Sequence, residues 1–252
     1  YKRSREYREA LREFDDLLEI LEERGLVQWD KHKDVYDMHP IVRGYSFERL
    51  SEMPDDKQAT FERIRQHFER NNTDDPDAAT EVEHLYHTIG IYRALVGAGK
   101  LDEAARFFGT RLRDKLHNQL AAYYTLVELL TPLFPDGTDT LPALSDPAAQ
   151  SAVITTLAGI YYYIGRRDEA LRLRALQIKL KIEADDLPNL CVGLQNYALS
   201  LQGANQLALA ELGYQAALAL ALAIGHSGHI ARSRVYLLGL YTELGDWAEA
   251  DA

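Results

Sequence analysis

Tyr161-Tyr162-Tyr163-Ile164-Gly165-Arg166-Arg167-Asp168-Glu169-Ala170 decides how this chain is read, because its pattern returns twice at one spacing. Forty residues on stands Leu201-Gln202-Gly203-Ala204-Asn205-Gln206-Leu207-Ala208-Leu209-Ala210, and forty further Tyr241-Thr242-Glu243-Leu244-Gly245-Asp246-Trp247-Ala248-Glu249-Ala250. Each copy places a residue tolerant of left-handed backbone (Gly165, Asn205, Gly245) between two helical patterns. A small residue follows in the second helix: Ala170, Ala210, Ala250. Aligned from Ser151, Cys191 and Ala231, the copies also correspond at Ala158, Ala198 and Leu238, and at Tyr161, Leu201 and Tyr241. Small side chains let antiparallel helices approach, and large ones fill the space between layers. One helix pair cannot bury its own apolar face, so the pairs must stack. An earlier copy fits with Gly99 as the turn, Ala104 as the small residue and Phe108 after it. Beyond it the pattern is irregular: Leu120 to Leu133 is apolar and helical, and Phe134-Pro135-Asp136-Gly137 opens a loop running to about Asp146.

Upstream the pattern changes. Leu11, Phe14, Leu17, Leu18 and Leu21 recur at helical spacing, which predicts an amphipathic helix over 5–24 ended by Gly25. Leu26-Val27-Gln28-Trp29 and Val35-Tyr36-Asp37-Met38 read as two short strands joined by the polar turn Asp30-Lys31-His32-Lys33-Asp34, so a hairpin packed on that helix is expected over 26–38. A further helix is expected from His39-Pro40. A linker helix is expected from Pro54 to Arg70, with Phe61, Ile64 and Phe68 on one face, and a polar break over Asn71 to Asp77.

The net charge of -11 comes from 28 basic and 39 acidic residues, and neither the first 80 residues nor the remainder has the basic surplus that phosphate backbones require. Nucleic-acid binding is therefore not expected. Cys191 is the single cysteine, so no internal disulfide forms and a reducing compartment fits. The most apolar run, Ala216 to Ile224, is far shorter than the ~20 residues of a membrane span. A cytoplasmic protein without a membrane segment is expected. The chain begins at Tyr1 without an initiator methionine and stops inside a helical pattern, and it reads as a piece of a longer protein.

The framework of small and turn residues resembles tetratricopeptide (TPR) repeats, with a period longer than the usual ~34. Two further stretches narrow the resemblance. Leu21-Glu22-Glu23-Arg24-Gly25-Leu26-Val27 followed by Tyr36-Asp37-Met38-His39-Pro40-Ile41-Val42-Arg43 is similar to the end of the winged-helix domain of STAND-class, NB-ARC-like signalling ATPases. Those proteins carry Met-His-Asp where this chain has Met38-His39-Pro40. His84-Leu85-Tyr86-His87 through Ala98-Gly99-Lys100-Leu101-Asp102-Glu103-Ala104, and Leu133-Phe134-Pro135-Asp136-Gly137, resemble the first sensor repeats of bacterial members. The resemblance implies a mainly α chain: the C-terminal part of a winged helix with a short β-hairpin over 1–53, a linker helix over 54–80 and an all-α TPR superhelix over 81–252. It also implies a regulatory fragment, not an enzyme. Its repeat array senses a protein partner or signal molecule. The winged helix couples that signal to ADP or ATP, with Mg, in an ATPase core elsewhere in the parent chain, and the parent oligomerises on activation. His39 matches the residue that contacts the β-phosphate of ADP in that family. A stand-alone TPR scaffold, its N-terminal segment an unrelated helical cap, is the alternative: a hairpin over 26–38 supports the STAND reading and a helix there the scaffold.

No other motif carries chemistry. Gly97-Ala98-Gly99-Lys100 lacks the first glycine and the final hydroxyl of a phosphate loop and lies in a helix-turn-helix context. His84 and His87 share a helix face near Glu81 and Glu83, but no third metal ligand stands at a suitable spacing, and a polar face is the simpler reading. Neither a catalytic nor a metal site is expected. The inner surface of the stack should come from the first helix of each pair, presenting Thr155, Tyr162 and Tyr163, then Gln195 and Gln202, then Arg232, Thr242 and Glu243. With no basic residue between Lys181 and Arg232, that surface suits a polar-apolar partner better than an acidic peptide.

Overall fold

The computed structural model describes residues 5–31 and 35–245. Residues His32, Lys33 and Asp34 of the expected turn, and Ala250 of the third repeat, lie outside them. The chain divides into two compact units, residues 1–60 and 61–252.

In the first unit α1 (Arg5–Glu23) is followed by β1 (Val27–Asp30) and β2 (Val35–Met38), which pair antiparallel with Val27 opposite Met38 and Trp29 opposite Tyr36. The expected hairpin is present. Gly25, at φ +66°, turns the chain out of α1, and the Leu26 amide returns to the Leu21 carbonyl at 2.9 Å. Val27 is buried, and the Trp29 and Tyr36 rings stack at 6.0 Å. His39 then caps α2 (Pro40–Ser51), whose first residue is proline, which needs no amide partner there. Leu11, Phe14, Leu17 and Ile20 of α1 stay exposed, as do Ile41, Tyr45 and Phe47 of α2. Val27 is the only buried hydrophobic residue described in this unit, so its amphipathic faces exceed what it covers by itself.

α3 (Pro54–Arg70) enters the second unit, where Phe61 and Phe68 pack on α4 (Tyr86–Gly97). A Cβ at Gly90 would stand 2.7 Å from the Phe68 ring, and one at Gly97 would collide with Phe61. Glycines in a helix interior cost stability, and here their missing side chains are the seats of two phenyl rings. Lys100, in the rejected phosphate-loop pattern, pairs with Glu62 at 2.9 Å, and Arg65 closes on the same carboxylate. The Arg65 and Lys100 hydrogen bonds hold Glu62 down to about 2, from an ordinary 4.5. A depressed carboxyl contributes stability that is complete above 4.5 and is lost as the pH falls toward 2. Glu62→Gln is therefore expected to melt below the wild type at neutral pH, by ~0.5–1 kcal/mol for this partly exposed network, with the gap closing in acid. A gap independent of pH would show that the ion pairs do not hold α3.

Between α4 and the regular repeats lie α5 (Leu101–Phe107), two π-helical turns (Phe108–Leu112 and Lys115–Gln119), and α6 (Tyr123–Leu130) with a 3-10 turn (Thr131–Leu133). The helix expected from Leu120 begins instead at Tyr123, because Ala121 takes a left-handed φ of 48°.

Then α7 (Pro147–Tyr163), α8 (Arg167–Glu183), α9 (Leu187–Gly203), α10 (Leu207–Ala223) and α11 (Ser227–Leu244) stack, each in contact with the next. Their starts fall every 20 residues, and all but the last, at 18, are 17 residues long. The added length of the repeat thus lies in the helices, each about 25 Å long, and the loops remain short. Each loop turns on a left-handed residue: Gly165, Asp185, Asn205, Gly225 and Gly245. The intra-pair turns Gly165, Asn205 and Gly245 are those expected, and Asp185 and Gly225 add equivalent turns between pairs. Ala158, Ala170, Ala198 and Ala210 are fully buried at the crossings. A Cβ on Gly213 would stand 2.9 Å from that of Ala198, which measures how tight one crossing is. Leu238, equivalent to Ala158 and Ala198, is exposed on α11, the last helix described. Among the described residues no helix is long and apolar enough to cross a membrane.

Candidate functional site

His39 sits where an extended strand ends and α2 begins, with φ -52° and ψ 135°. Its amide donates to the Leu26 carbonyl at 3.1 Å, and its Nδ1 accepts the Ile41 amide at 3.3 Å. That assignment puts the proton of the neutral ring on Nε2, which has no partner among the described residues. The imidazole is exposed. Beside it, Arg43 is fixed by Asp37 at 2.6 Å and by the Met38 carbonyl at 3.1 Å. His39 is thus a helix cap that retains one outward donor.

His84 and His87 are engaged within the fold. Asp74 sends one carboxylate oxygen to His87 Nδ1 at 2.9 Å and the other to the Thr88 amide at 2.7 Å, capping α4. Burial raises the Asp74 carboxyl, but the Thr88 and His87 hydrogen bonds outweigh it and leave the group below its ordinary value. His84 accepts the Thr80 amide at 3.3 Å.

The residues expected on the inner surface stand in different settings. Gln195 is 1% exposed: its amide nitrogen donates to Ser233 Oγ at 2.8 Å and to the His229 carbonyl at 3.2 Å, tying α9 to α11. It is therefore a core residue and not part of an exposed inner surface, which corrects the expectation; its Oε1 is buried without a partner among the described residues. Gln202 and Glu243 bond each other at 2.6 Å across the same two helices, and Gln202 also accepts the Tyr214 hydroxyl at 2.9 Å. Arg232 and Thr242 are exposed on α11, with the Thr242 hydroxyl turned back to the Leu238 carbonyl. Tyr162 is half-buried beneath the Arg167 guanidinium, 4.3 Å above its ring.

Thr155 and Tyr163 join a cleft of about 320 Å³, with walls from outside the first helices that were not expected. Arg113, His117 and Asn118 reach it from the irregular α5–α6 segment, and Arg174 reaches it from α8. Two π-helical turns lie in that segment, and such turns change the direction of the side chains after them and recur at functional sites. Tyr163 stacks on Tyr123 at 5.4 Å, and the His117 ring stands edge-on to both.

Arg174 is the unusual member. It is 8% exposed. One guanidinium nitrogen donates to Gln177 Oε1 at 3.1 Å; Gln177 donates in turn to Thr155 Oγ1 at 2.6 Å, and Thr155 to the Ser151 carbonyl at 2.6 Å. Nε is buried with no partner, and no carboxylate among the described residues pairs with the group. Burial lowers it to about 10, with only the nearby Tyr163 acting the other way, so it remains charged at neutral pH. A buried unsatisfied donor costs ~1–3 kcal/mol, and more when charged. The sequence held a signal for it: 40 residues on, the same repeat position is the fully buried Tyr214. Arginine where a neighbouring repeat places core aromatic is a buried polar group in need of an explanation.

No family model matches the chain, and no curated protein matches it. Among solved structures it is similar to BtubC (BKLC) from P. vanneervenii, at 16% identity over 84% of this chain and 78% of that one, with a TM-score of 0.39.

Proposed function

We propose that this chain is the regulatory and ligand-sensing part of a STAND-class signalling ATPase and is not itself an enzyme. The helical stack receives a protein partner or signal molecule. The hairpin-and-helix unit couples that event to the nucleotide state of an ATPase core in the same parent chain, which binds ADP or ATP with Mg and oligomerises when activated. The reading places the protein in the cytoplasm, without nucleic acid or membrane as partner.

The observation that carries it is the hairpin Val27–Asp30 and Val35–Met38 leading directly into an exposed histidine at a helix start. Strands at Val27–Asp30 and Val35–Met38 favour this reading over a plain repeat scaffold, for which helix is expected there. His39 fits a phosphate contact chemically, since Nε2–H is an outward donor held in place by the cap at Nδ1. The full-length parent, purified without added nucleotide, is expected to carry about one ADP per chain, read by chromatography of the denatured protein. A parent that carries none, and neither binds nor hydrolyses ATP, would overturn this reading and leave the stand-alone TPR scaffold.

A further inference from the structure

We propose that the cleft between the π-helical segment and the α7–α8 pair binds a small organic anion, whose carboxylate or phosphate oxygens are held by Arg174 and Arg113 and whose flat body lies against Tyr163. The inference rests on reading this face as ligand-binding, and it is independent of what the parent ATPase is.

The argument starts from an uncompensated charge. Arg174 is buried, keeps one hydrogen bond to Gln177, and leaves Nε without an acceptor. Its Nη2 stands 3.7 Å from where a Cβ on Gly159 would be, so the missing side chain of Gly159 keeps the cleft open over the guanidinium. A guanidinium has five donors in a planar fork that matches two oxygens of a carboxylate or phosphate. Burying such a group without a counter-ion is unfavourable, and no acidic side chain among the described residues pairs with it. The partner that satisfies it therefore comes from outside the described chain.

The rim repeats the preference. Arg113 is exposed at the mouth, while the nearest acid of that turn, Asp114, is already held by Asn118 at 2.6 Å and Gln119 at 3.1 Å. Tyr163, stacked on Tyr123 at 5.4 Å, gives the cleft a flat aromatic wall beside the charge. The volume, about 320 Å³, lies at the small end of ligand pockets and suits a small ligand better than a protein segment.

The test uses the 252-residue chain, titrated calorimetrically with phenyl phosphate, benzoate and inorganic phosphate at constant ionic strength set by chloride. Saturable binding of an aromatic anion is expected, weakened about tenfold or more in Arg174→Met and less, with a stronger salt dependence, in Arg113→Gln. Preference for phenyl phosphate or benzoate tells which oxyanion the site takes. Without ligand, Arg174→Met is expected to melt no lower than the wild type, because it removes an unpaired buried charge while keeping the volume. Should that variant fail to fold, Arg113→Gln, exposed, carries the comparison. No saturable binding of any of the three below about 10 mM, or equal binding by wild type and the folded variants, overturns the proposal. Anion binding by the fragment alongside a nucleotide-free parent would sink the ATPase reading and leave this site standing, and the reverse result would do the opposite.

Discussion

Tyr214→Ala is expected to lower the stability of the repeat stack by ~3–5 kcal/mol, the range for removing a large buried aromatic side chain. Tyr214 is fully buried on α10. Its ring stacks on Tyr236 of α11 at 5.2 Å, and its hydroxyl donates to Gln202 of α9 at 2.9 Å. Three helices therefore meet on one side chain, with Ala198, Ala210, Leu237 and Leu240 in the same cluster. Removal leaves a cavity that tight alanine crossings cannot close, and it frees the Gln202–Glu243 pair from its anchor. Domains of ordinary size hold only ~5–15 kcal/mol in total, so much of the margin would go. Tyr214→Phe isolates the hydroxyl and should cost ~1 kcal/mol. Denaturant midpoints of the three forms decide the matter: an alanine variant within ~1 kcal/mol of wild type would mean that the stack does not depend on this layer.

If the chain belongs to a STAND ATPase as proposed, His39→Ala in the full-length parent is expected to speed ADP release ten- to a hundredfold and to raise signal-independent oligomerisation. A hydrogen bond between imidazole and phosphate is worth ~1.5–3 kcal/mol, which spans that range. The fold adds a complication with its own control. His39 Nδ1 caps α2 through the Ile41 amide, so alanine also forfeits ~0.5–2 kcal/mol of local stability. His39→Ser restores a capping oxygen but cannot reach outward as Nε2 does. Both variants should leak ADP. If serine retains nucleotide like the wild type, His39 acts only as a cap and the coupling role is lost.

What the sequence disclosed was whatever hard sterics write into residue type. Gly165, Asn205 and Gly245 were legible because left-handed backbone excludes most side chains, and Ala170 and Ala210 because helices cannot cross closely over anything larger. The hairpin was legible from apolar pairs around a polar turn. Asp185, at φ 50°, is less legible, because aspartate is common in exposed loops of every backbone conformation. The π-helical turns over 108–119 leave no periodic trace that differs from an irregular helix. Gln195 differs for another reason: polarity and a first-helix position suggest a groove, while burial against α11 engages its amide nitrogen. The cleft at Arg174 needed a comparison between repeats, since only Tyr214 at the equivalent position shows that the arginine occupies a core slot.

The helix starts at 147, 167, 187, 207 and 227 set a rule for how such a gene can change length. An unequal crossover that adds or removes 40 codons returns the next helix to the direction and face its neighbour already fits. Loss of 20 codons keeps every turn residue in phase yet reverses the polarity of all that follows, bringing second-helix faces where first-helix faces belong. Drift in copy number should therefore proceed by whole pairs. Each added pair would lengthen the stack without disturbing the Arg174 cleft, which needs the irregular segment that precedes the first regular pair.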